Sequence, residues 1–390
     1  MAVSSMRSII PYIAAAHALF LPACATPQIS PPVAKAPTED PAVWRASESA
    51  WLKNHTQLTF PDRFVKAGEA YFSPDGRQII FQAVEQPAPG KAPDDFYAMF
   101  TAELGADATG KPMLSRIERI SPPASANTCG WFEESRPGIV LFGSTITTPA
   151  VTDAPGYQRG SGRYKWQFPP EMRIVEIPMA DSESIATGRT QPKVIVGDGR
   201  AYAAEGSTTR DGRSLLYCSL ESGQGDLRVR DMPTGLDVTI VNAPGYDGGP
   251  FFSPDERRIC YRSDRRGDSL LQVQVADLVR DGGGRITGSA NERQLTDNEH
   301  VNWAPFWHPT GAMIVYASSE VGHSNYEIFA VTTDPSSPPQ RTRVTHALGA
   351  DVLPVFDGAG RRMMWTSQRG EGRSSQLWIA DFVQAVPGKP

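Results

Sequence analysis

Tyr71-Phe72-Ser73-Pro74-Asp75-Gly76-Arg77-Gln78-Ile79-Ile80-Phe81 is the stretch on which the reading of this chain turns. An aromatic strand end runs into a tight turn, and the chain leaves the turn as an apolar strand. Pro74 presets φ at the first turn position, while Asp75 and Gly76 tolerate the next ones, so the turn closes a hairpin. The unit returns as Phe251-Phe252-Ser253-Pro254-Asp255-Glu256-Arg257-Arg258-Ile259-Cys260-Tyr261. Degraded copies are Phe306-Trp307-His308-Pro309-Thr310-Gly311 before Met313 to Tyr316, Val355 to Gly360 before Met363-Met364-Trp365, and Thr209 to Gly212 before Leu215-Leu216-Tyr217. The weakest copy runs from Trp131-Phe132 to Pro137-Gly138, before Ile139 to Phe142.

Each unit continues through a third strand, such as Tyr326 to Val331 or Gln376 to Ala380, and a fourth that ends in an apolar residue followed by Ser or Thr. Ile120-Ser121, Leu295-Thr296 and Val344-Thr345 are such endings, with Ile240-Val241 a looser match. A recurring four-strand unit is the signature of a propeller blade, and the turns count six blades. The fold expected is therefore all-β, a six-bladed β-propeller with four-stranded blades over residues 56–384, followed by a tail, 385–390. The last unit stops near Phe382 without a fourth strand, while Gln57-Leu58-Thr59 has the spelling of a fourth strand with no blade before it. The N-terminal strand is thus expected to complete the final blade and close the ring, which removes edges that would template aggregation.

Composition agrees. The 390 residues are 40% hydrophobic and 21% charged, and 35 Gly with 34 Pro suit many short strands joined by many turns. A formal charge of −5 with no long Lys/Arg run gives no electrostatic footprint for nucleic acid.

Residues 1–24 read as an export signal: Arg7 supplies the positive region, and Ser8 to Leu21 form an apolar stretch too short to span a bilayer. Leu21-Pro22-Ala23-Cys24 resembles a lipobox, whose Cys24 would carry the lipid, and Ala23-Cys24-Ala25 also reads as an ordinary cleavage site. The expected location is outside the cytoplasm, either periplasmic or as a membrane-anchored lipoprotein. Residues 25–55 read as a Pro-rich tether, too poor in apolar side chains to fold, with a short helix near Pro41 to Lys53. Cys129, Cys218 and Cys260 show no metal-binding spacing and read as core residues, with one disulfide left open.

The run from Gln57-Leu58-Thr59 through YFSPDGRQIIF, with PGYDGGPFFSPDERRICYRS and WAPFWHPTGAMIVYAS, resembles the TolB-like propeller family of WD40-like repeats over nearly all of Leu58 to Phe382. Thr128 to Phe132 and Tyr246 to Pro250 also resemble propellers that precede zinc aminopeptidase domains in some bacterial proteins. The resemblance implies an envelope binder of protein or peptide, or a scaffold, and fold alone does not imply that function.

The sequence lacks a G-x-S-x-G elbow, an H-E-x-x-H pair, a Walker loop and a G-x-G-x-x-G turn. Among the histidines, His308 reads as a turn residue, and His300 and His323 flank the blade that opens at Asn302. Counting back from the turns puts Glu69, Asn127, Glu205, Asp247, Asn302 and Asp351 near the starts of the innermost strands, beside the central channel. Such a ring would attract a basic peptide segment or a hydrated cation such as calcium; alternatively the side chains cap turn amides. If the ring binds, Asp247→Ala with Asp351→Ala is expected to weaken capture with little loss of stability. A second candidate is the loop from Ser144 to Pro170, where Tyr157, Arg159, Arg163, Tyr164 and Trp166 are of the types that concentrate at binding hot spots. Trp303, Phe306, Trp307, Phe251 and Phe252 read as core packing rather than a sugar platform.

These readings favour a monomeric, non-enzymatic module without a cofactor that binds an envelope protein or peptide. The alternative is a carbohydrate lyase or hydrolase at the channel mouth, using Glu205 and Asp247 with a cation and His300.

Overall fold

The computed structural model describes residues 39–150, 156–158, 163–165 and 169–384, with backbone alone at 156–158 and 163–165. The described residues form six four-stranded antiparallel sheets and a small hairpin, Gly156–Gln158 with Arg163–Lys165. The innermost strands are Phe64–Phe72, Asn127–Phe132, Ala203–Thr208, Asp247–Phe252, Asn302–Trp307 and Asp351–Phe356, which open blades 1 to 6. Each of them packs on the second strand of the blade before it, and that of blade 1 packs on the second strand of blade 6, Arg362–Ser367, so the ring is closed. No helix among the described residues is long and apolar enough to cross a membrane.

The repeat spelling has a local cause. Ser73 Oγ donates to Asp75 Oδ1 at 2.6 Å and accepts from the Gln78 N–H at 2.9 Å, while Asp75 Oδ1 accepts from the Arg77 N–H at 3.0 Å. Gly76 stands at φ +68°, where a side chain is costly. Ser253 and Asp255 repeat the same bonds in blade 4, and Thr209 and Asp211 repeat them in blade 3. His308 occupies the turn in blade 5, its Nδ1 2.9 Å from Thr310 Oγ1. The apolar-Thr pairs work just past the fourth strands. The Leu295 N–H donates to Val273 O, and Thr296 Oγ1 accepts from the Val273 N–H at 2.9 Å, so one residue of the third strand is held twice. Ile120-Ser121 does this to Met99, Val344-Thr345 to Ile328, and Leu58-Thr59 to Leu377.

The last of these pairs marks the clasp. Strand Leu52–Gln57 pairs antiparallel with Gln376–Phe382 and becomes the fourth strand of blade 6. It begins upstream of the sequence-based boundary at residue 56, because the helix stops at Glu48 rather than running to Lys53. Asp40 caps that helix, its Oδ1 accepting from the Ala42 N–H, and Pro41 occupies the first turn. The second strands Ser214–Ser219 and Met313–Ser318 are buried at every position and the other four at all but their end residues, since a neighbouring blade covers each face. Cys129, Cys218 and Cys260 carry free thiols, and the latter two are core residues.

Candidate functional site

Every innermost strand breaks register with its neighbour at the same place, at Gly68/Ala70, Thr128/Trp131, Ala204/Ser207, Gly248/Phe251, Trp303/Phe306 and Val352/Val355. At each break one residue takes a left-handed backbone: Glu69, Cys129, Glu205, Gly249, Ala304 and Leu353, with φ between 42° and 62°. A bulge of this kind re-aims the side chain it carries. All six residues line one cavity of about 390 Å³ on the channel axis. Two positions further along lie Tyr71, Trp131, Phe251 and Phe306, whose ring centroids are 5.0 to 6.3 Å apart and which form an aromatic floor. The rim includes Lys66 from the start of strand Phe64–Phe72, Tyr97 and Tyr202 from the residues just before their strands, and Pro169 and Met172 from the end of the blade-2 excursion.

The bulge ring divides into halves. Blades 1 to 3 contribute Glu69, Cys129 and Glu205; blades 4 to 6 contribute Gly249, Ala304 and Leu353. Glu205 is engaged on both oxygens: Oε1 accepts from Arg262 Nη2 at 2.6 Å and from the Tyr246 hydroxyl at 3.0 Å, and Oε2 accepts from the Gly249 N–H at 2.5 Å. The Arg262 and Glu205 side chains are 10% and 8% exposed, and the guanidinium also lies 5.5 Å over the Tyr246 ring. Burial alone would lower the pKa of Arg262, but Glu205 outweighs it and holds the guanidinium well above its ordinary value.

Glu69 differs. It is 8% exposed and accepts from the Tyr71 hydroxyl at Oε1, 3.2 Å, and from the Thr128 hydroxyl at Oε2, 2.9 Å, while its own N–H donates to Thr366 Oγ1. It makes no ion pair with any described residue. Burial, and then the charge of Glu69, push the Tyr71 phenol well above its ordinary range. Burial followed by Glu69 and Glu205 does the same to the Cys129 thiol, which favours its protonated form. Lys66 stacks its ammonium 4.4 Å over Tyr97, and burial lowers its pKa.

Of the six residues placed at the mouth by sequence, Glu69, Asn127 and Glu205 line the cavity; Asp247, Asn302 and Asp351 do not. Asn127, Asp247, Asn302 and Asp351 occupy the first strand position; the amides of Asn127 and Asn302 bond to the preceding blade, while the carboxyls of Asp247 and Asp351 bond to their own blade or the loop that enters it. Asn127 Nδ2 donates to Tyr97 O and Asn302 Nδ2 to Asn298 Oδ1 and Gln272 Oε1, while Asp247 Oδ2 accepts from the Ala243 N–H. Asp351 Oδ2 accepts from Arg369 at 2.5 Å and its Oδ1 from Trp365 Nε1. Burial raises the Asp247 carboxyl to about 6 despite Ser263 and Arg265. The pair Glu205 and Asp247 is therefore divided between the cavity and the protein interior, and His300 does not line the cavity either. Among the described residues, no three His, Cys, Asp or Glu side chains gather as metal ligands.

Arg159 and Trp166 lie outside the described residues, as does Cys24; of Tyr157, Arg163 and Tyr164 the backbone hairpin alone is described. Trp303, Phe306 and Phe251 line the cavity, whereas Trp307 is core, its Nε1 donating to Phe251 O. Arg262, Lys66, Tyr97 and Cys129 were not singled out from the sequence. A strict count of four residues back from the turn position reaches Glu69, Cys129, Glu205, Gly249, Ala304 and Leu353 and would have found the bulge ring.

No family model matches the chain. An uncharacterized protein of Agrobacterium fabrum is 32% identical over 108 residues, 28% of this chain and 33% of that protein. The Tol-Pal system protein TolB of Wolinella succinogenes is 26% identical over 191 residues, 48% of this chain and 41% of its own. The chain thus spans well under half the length of these relatives. Among solved structures, TolB from Acinetobacter baumannii matches with a TM-score of 0.53 at 15% identity, over 80% of this chain and 65% of that one. A luciferin-regenerating enzyme matches with a TM-score of 0.51 at 11% identity, over 86% and 99%. At such identities the solved structures speak for the fold alone. With six closed blades, the Ser-Pro-Asp-Gly repeat and these likenesses together, the chain is a TolB-like six-bladed β-propeller.

Proposed function

We propose that the chain is a non-enzymatic binding module of the cell envelope that takes a segment of a protein or peptide into its central cavity. The observation that carries the reading is the cavity itself. It is concave, walled mainly by apolar and aromatic side chains, and supplied with a few polar groups held by bulged backbone, which is the general anatomy of a ligand site. At about 390 Å³ it lies near the small end of such sites, so it suits one or two side chains of a partner whose remainder rests on the rim. The likeness to Tol-Pal system proteins supports an envelope setting, and residues 1–24 support export, with Cys24 as the lipid-bearing first residue of the mature chain. The intact mass of the mature chain tests the lipid.

The test of binding is crosslinked capture from the native envelope fraction with the wild-type mature chain and with Leu353→Trp. Leu353 lines the cavity from its apolar half and already has a left-handed backbone that bears a side chain, so a larger ring there fills the cavity without a new backbone demand. A partner held by the wild type and lost by Leu353→Trp is the expected result. Capture unchanged by that substitution, or turnover on a panel of glycans, overturns the reading.

A further inference from the structure

The reading of the cavity as a binding site leaves open what chemistry it accepts, and the following rests on that reading. A carboxylate offers about four lone-pair positions. Tyr71 takes one on Oε1 of Glu69 and Thr128 takes one on Oε2, which leaves about one free acceptor position on each oxygen. On Glu205, by contrast, Arg262, the Tyr246 hydroxyl and the Gly249 N–H take three of the four, and one of these donors is a guanidinium. Among the described residues, the cavity therefore holds one committed ion pair and one carboxyl that has hydrogen-bond donors but no cation. Around Glu69 stand the aromatic floor, including Tyr71 and Trp131, and the Tyr97 rim.

The donors point the same way. Arg262 lines the cavity, and its buried Nε–H has no acceptor. Lys66 at the rim has a ring beneath its ammonium but no anion within reach among the described residues. A wholly apolar occupant would leave these groups stranded, and a bare metal ion would answer Glu69 alone. An occupant with a planar cation, an apolar stem and a carbonyl behind it answers both Glu69 and Lys66.

We infer that the cavity receives an arginine side chain of a peptide or protein partner, with the guanidinium forked across the two oxygens of Glu69 and its plane against the aromatic floor. Paired N–H donors match one free position on each carboxylate oxygen, a geometry that an ammonium does not reproduce. The flat cation also suits ring faces. The residue's own peptide carbonyl then serves as acceptor for Lys66 at the rim, which favours an arginine within a chain over a free guanidine.

Calorimetric titration of the mature chain with N-acetyl-arginine amide, N-acetyl-citrulline amide, N-acetyl-leucine amide and free arginine tests this. Citrulline keeps the shape and removes the charge. The arginine amide is expected to bind at least about tenfold more tightly than the citrulline amide. That advantage disappears in Glu69→Gln, and the wild-type comparison decides the matter even if Glu69→Gln folds poorly. Equal binding of citrulline or leucine amide, or no heat from the arginine amide at millimolar concentration, overturns the inference. Free arginine binding as tightly as the amide overturns the assignment to a peptide. A partner captured by Glu69→Gln but not by Leu353→Trp leaves the cavity reading standing and removes the guanidinium; a partner captured by both variants removes the cavity reading itself.

Discussion

Arg369→Met is expected to cost about 3–5 kcal/mol of stability near neutral pH, the range for removing one partner of a buried ion pair. The Arg369 guanidinium is 1% exposed and bonds Glu48 at 3.0 and 3.1 Å and Asp351 at 2.5 Å, both carboxyls being equally buried. It is enclosed by Trp44, Trp365 and Trp378, whose ring centroids lie 4.4, 5.0 and 5.7 Å away. Methionine fills part of that cage and makes sulfur contacts with the rings, so the cost arises from two carboxyls left without a cation rather than from a void. Glu48 belongs to the helix and Asp351 opens the innermost strand of blade 6, so the variant loosens the clasp at the point where the ring closes.

The pH dependence follows from the signs. Burial raises the Glu48 pKa, but His55, Arg369 and the His346 N–H together bring it below 4.5, so its contribution is present above that value and is lost as pH falls through the lower, folded one. Without Arg369, burial gains weight against the remaining partners and the carboxyl binds its proton more readily. The deficit of the variant is then greatest at neutral pH and shrinks on acidification. Urea unfolding followed by far-UV dichroism and tryptophan fluorescence at several pH values measures it. A loss under about 1 kcal/mol, or a deficit that grows toward acid, refutes the account.

Asp247→Asn is expected to stabilise by about 1–3 kcal/mol at pH 8, because the folded carboxyl is raised from 3.8 to about 6 and its ionisation above that pH opposes folding. The gain over wild type appears between about pH 4 and 6 and is flat above, which denaturation at three pH values checks. Gly249→Ala meets a backbone at φ +58° and brings its Cβ to 2.0 Å from Arg262 Nη1, so Arg262 must leave Glu205. A loss of about 2–4 kcal/mol in urea is expected. Phe251→Ala removes the ring that touches Tyr71, Trp131 and Phe306 and is expected to cost about 3–4 kcal/mol, with dye binding as the sign that the floor has opened. Asp247→Ala with Asp351→Ala is expected to lower stability substantially in urea unfolding, since both side chains are buried, Asp247 accepts from the Ala243 N–H, and Asp351 accepts from Arg369 and Trp365.

The blades were legible because their signals are short-range. The turn that names the repeat is held by bonds between residues two to five apart, as from Ser73 to Asp75 and Gln78, so four letters suffice to specify it. The closing strand was legible for a related reason. Thr59 holds Leu377 as Thr296 holds Val273, and a pair that does this within other blades betrays a missing partner when it stands alone. The site was not legible in the same way, because what makes it is long-range. Arg262 meets Glu205 across 57 residues and Thr366 meets Glu69 across 297, and no local pattern announces either contact.

The polar residues beside the channel show where the line runs. Selecting the nearest acid or amide upstream of each turn mixed two positions with different tasks. Six residues before the turn, a residue of the innermost strand donates its N–H to the preceding blade in five of the blades, from Ala67 to Ser375 O, Ala203 to Met172 O, Asp247 to Gly225 O, Asn302 to Leu271 O and Asp351 to Tyr326 O. The amides of Asn127 and Asn302 extend that joint, which Ala67 and Ala203 make with the backbone N–H. Four residues before the turn, the bulge aims the side chain at the axis, where a carboxyl also reaches the next blade: Glu205 bonds Arg262 and the Gly249 N–H of blade 4, and Glu69 bonds Thr128 of blade 2. Glu205 at that position is answered by Arg262, whereas among the described residues Glu69 is answered by the hydroxyls of Tyr71 and Thr128. Burying a carboxyl without a cation costs stability, and the ring tolerates Cys129, Ala304 and Leu353 at equivalent places, so the fold does not require Glu69. The group that repays its presence is one the partner brings.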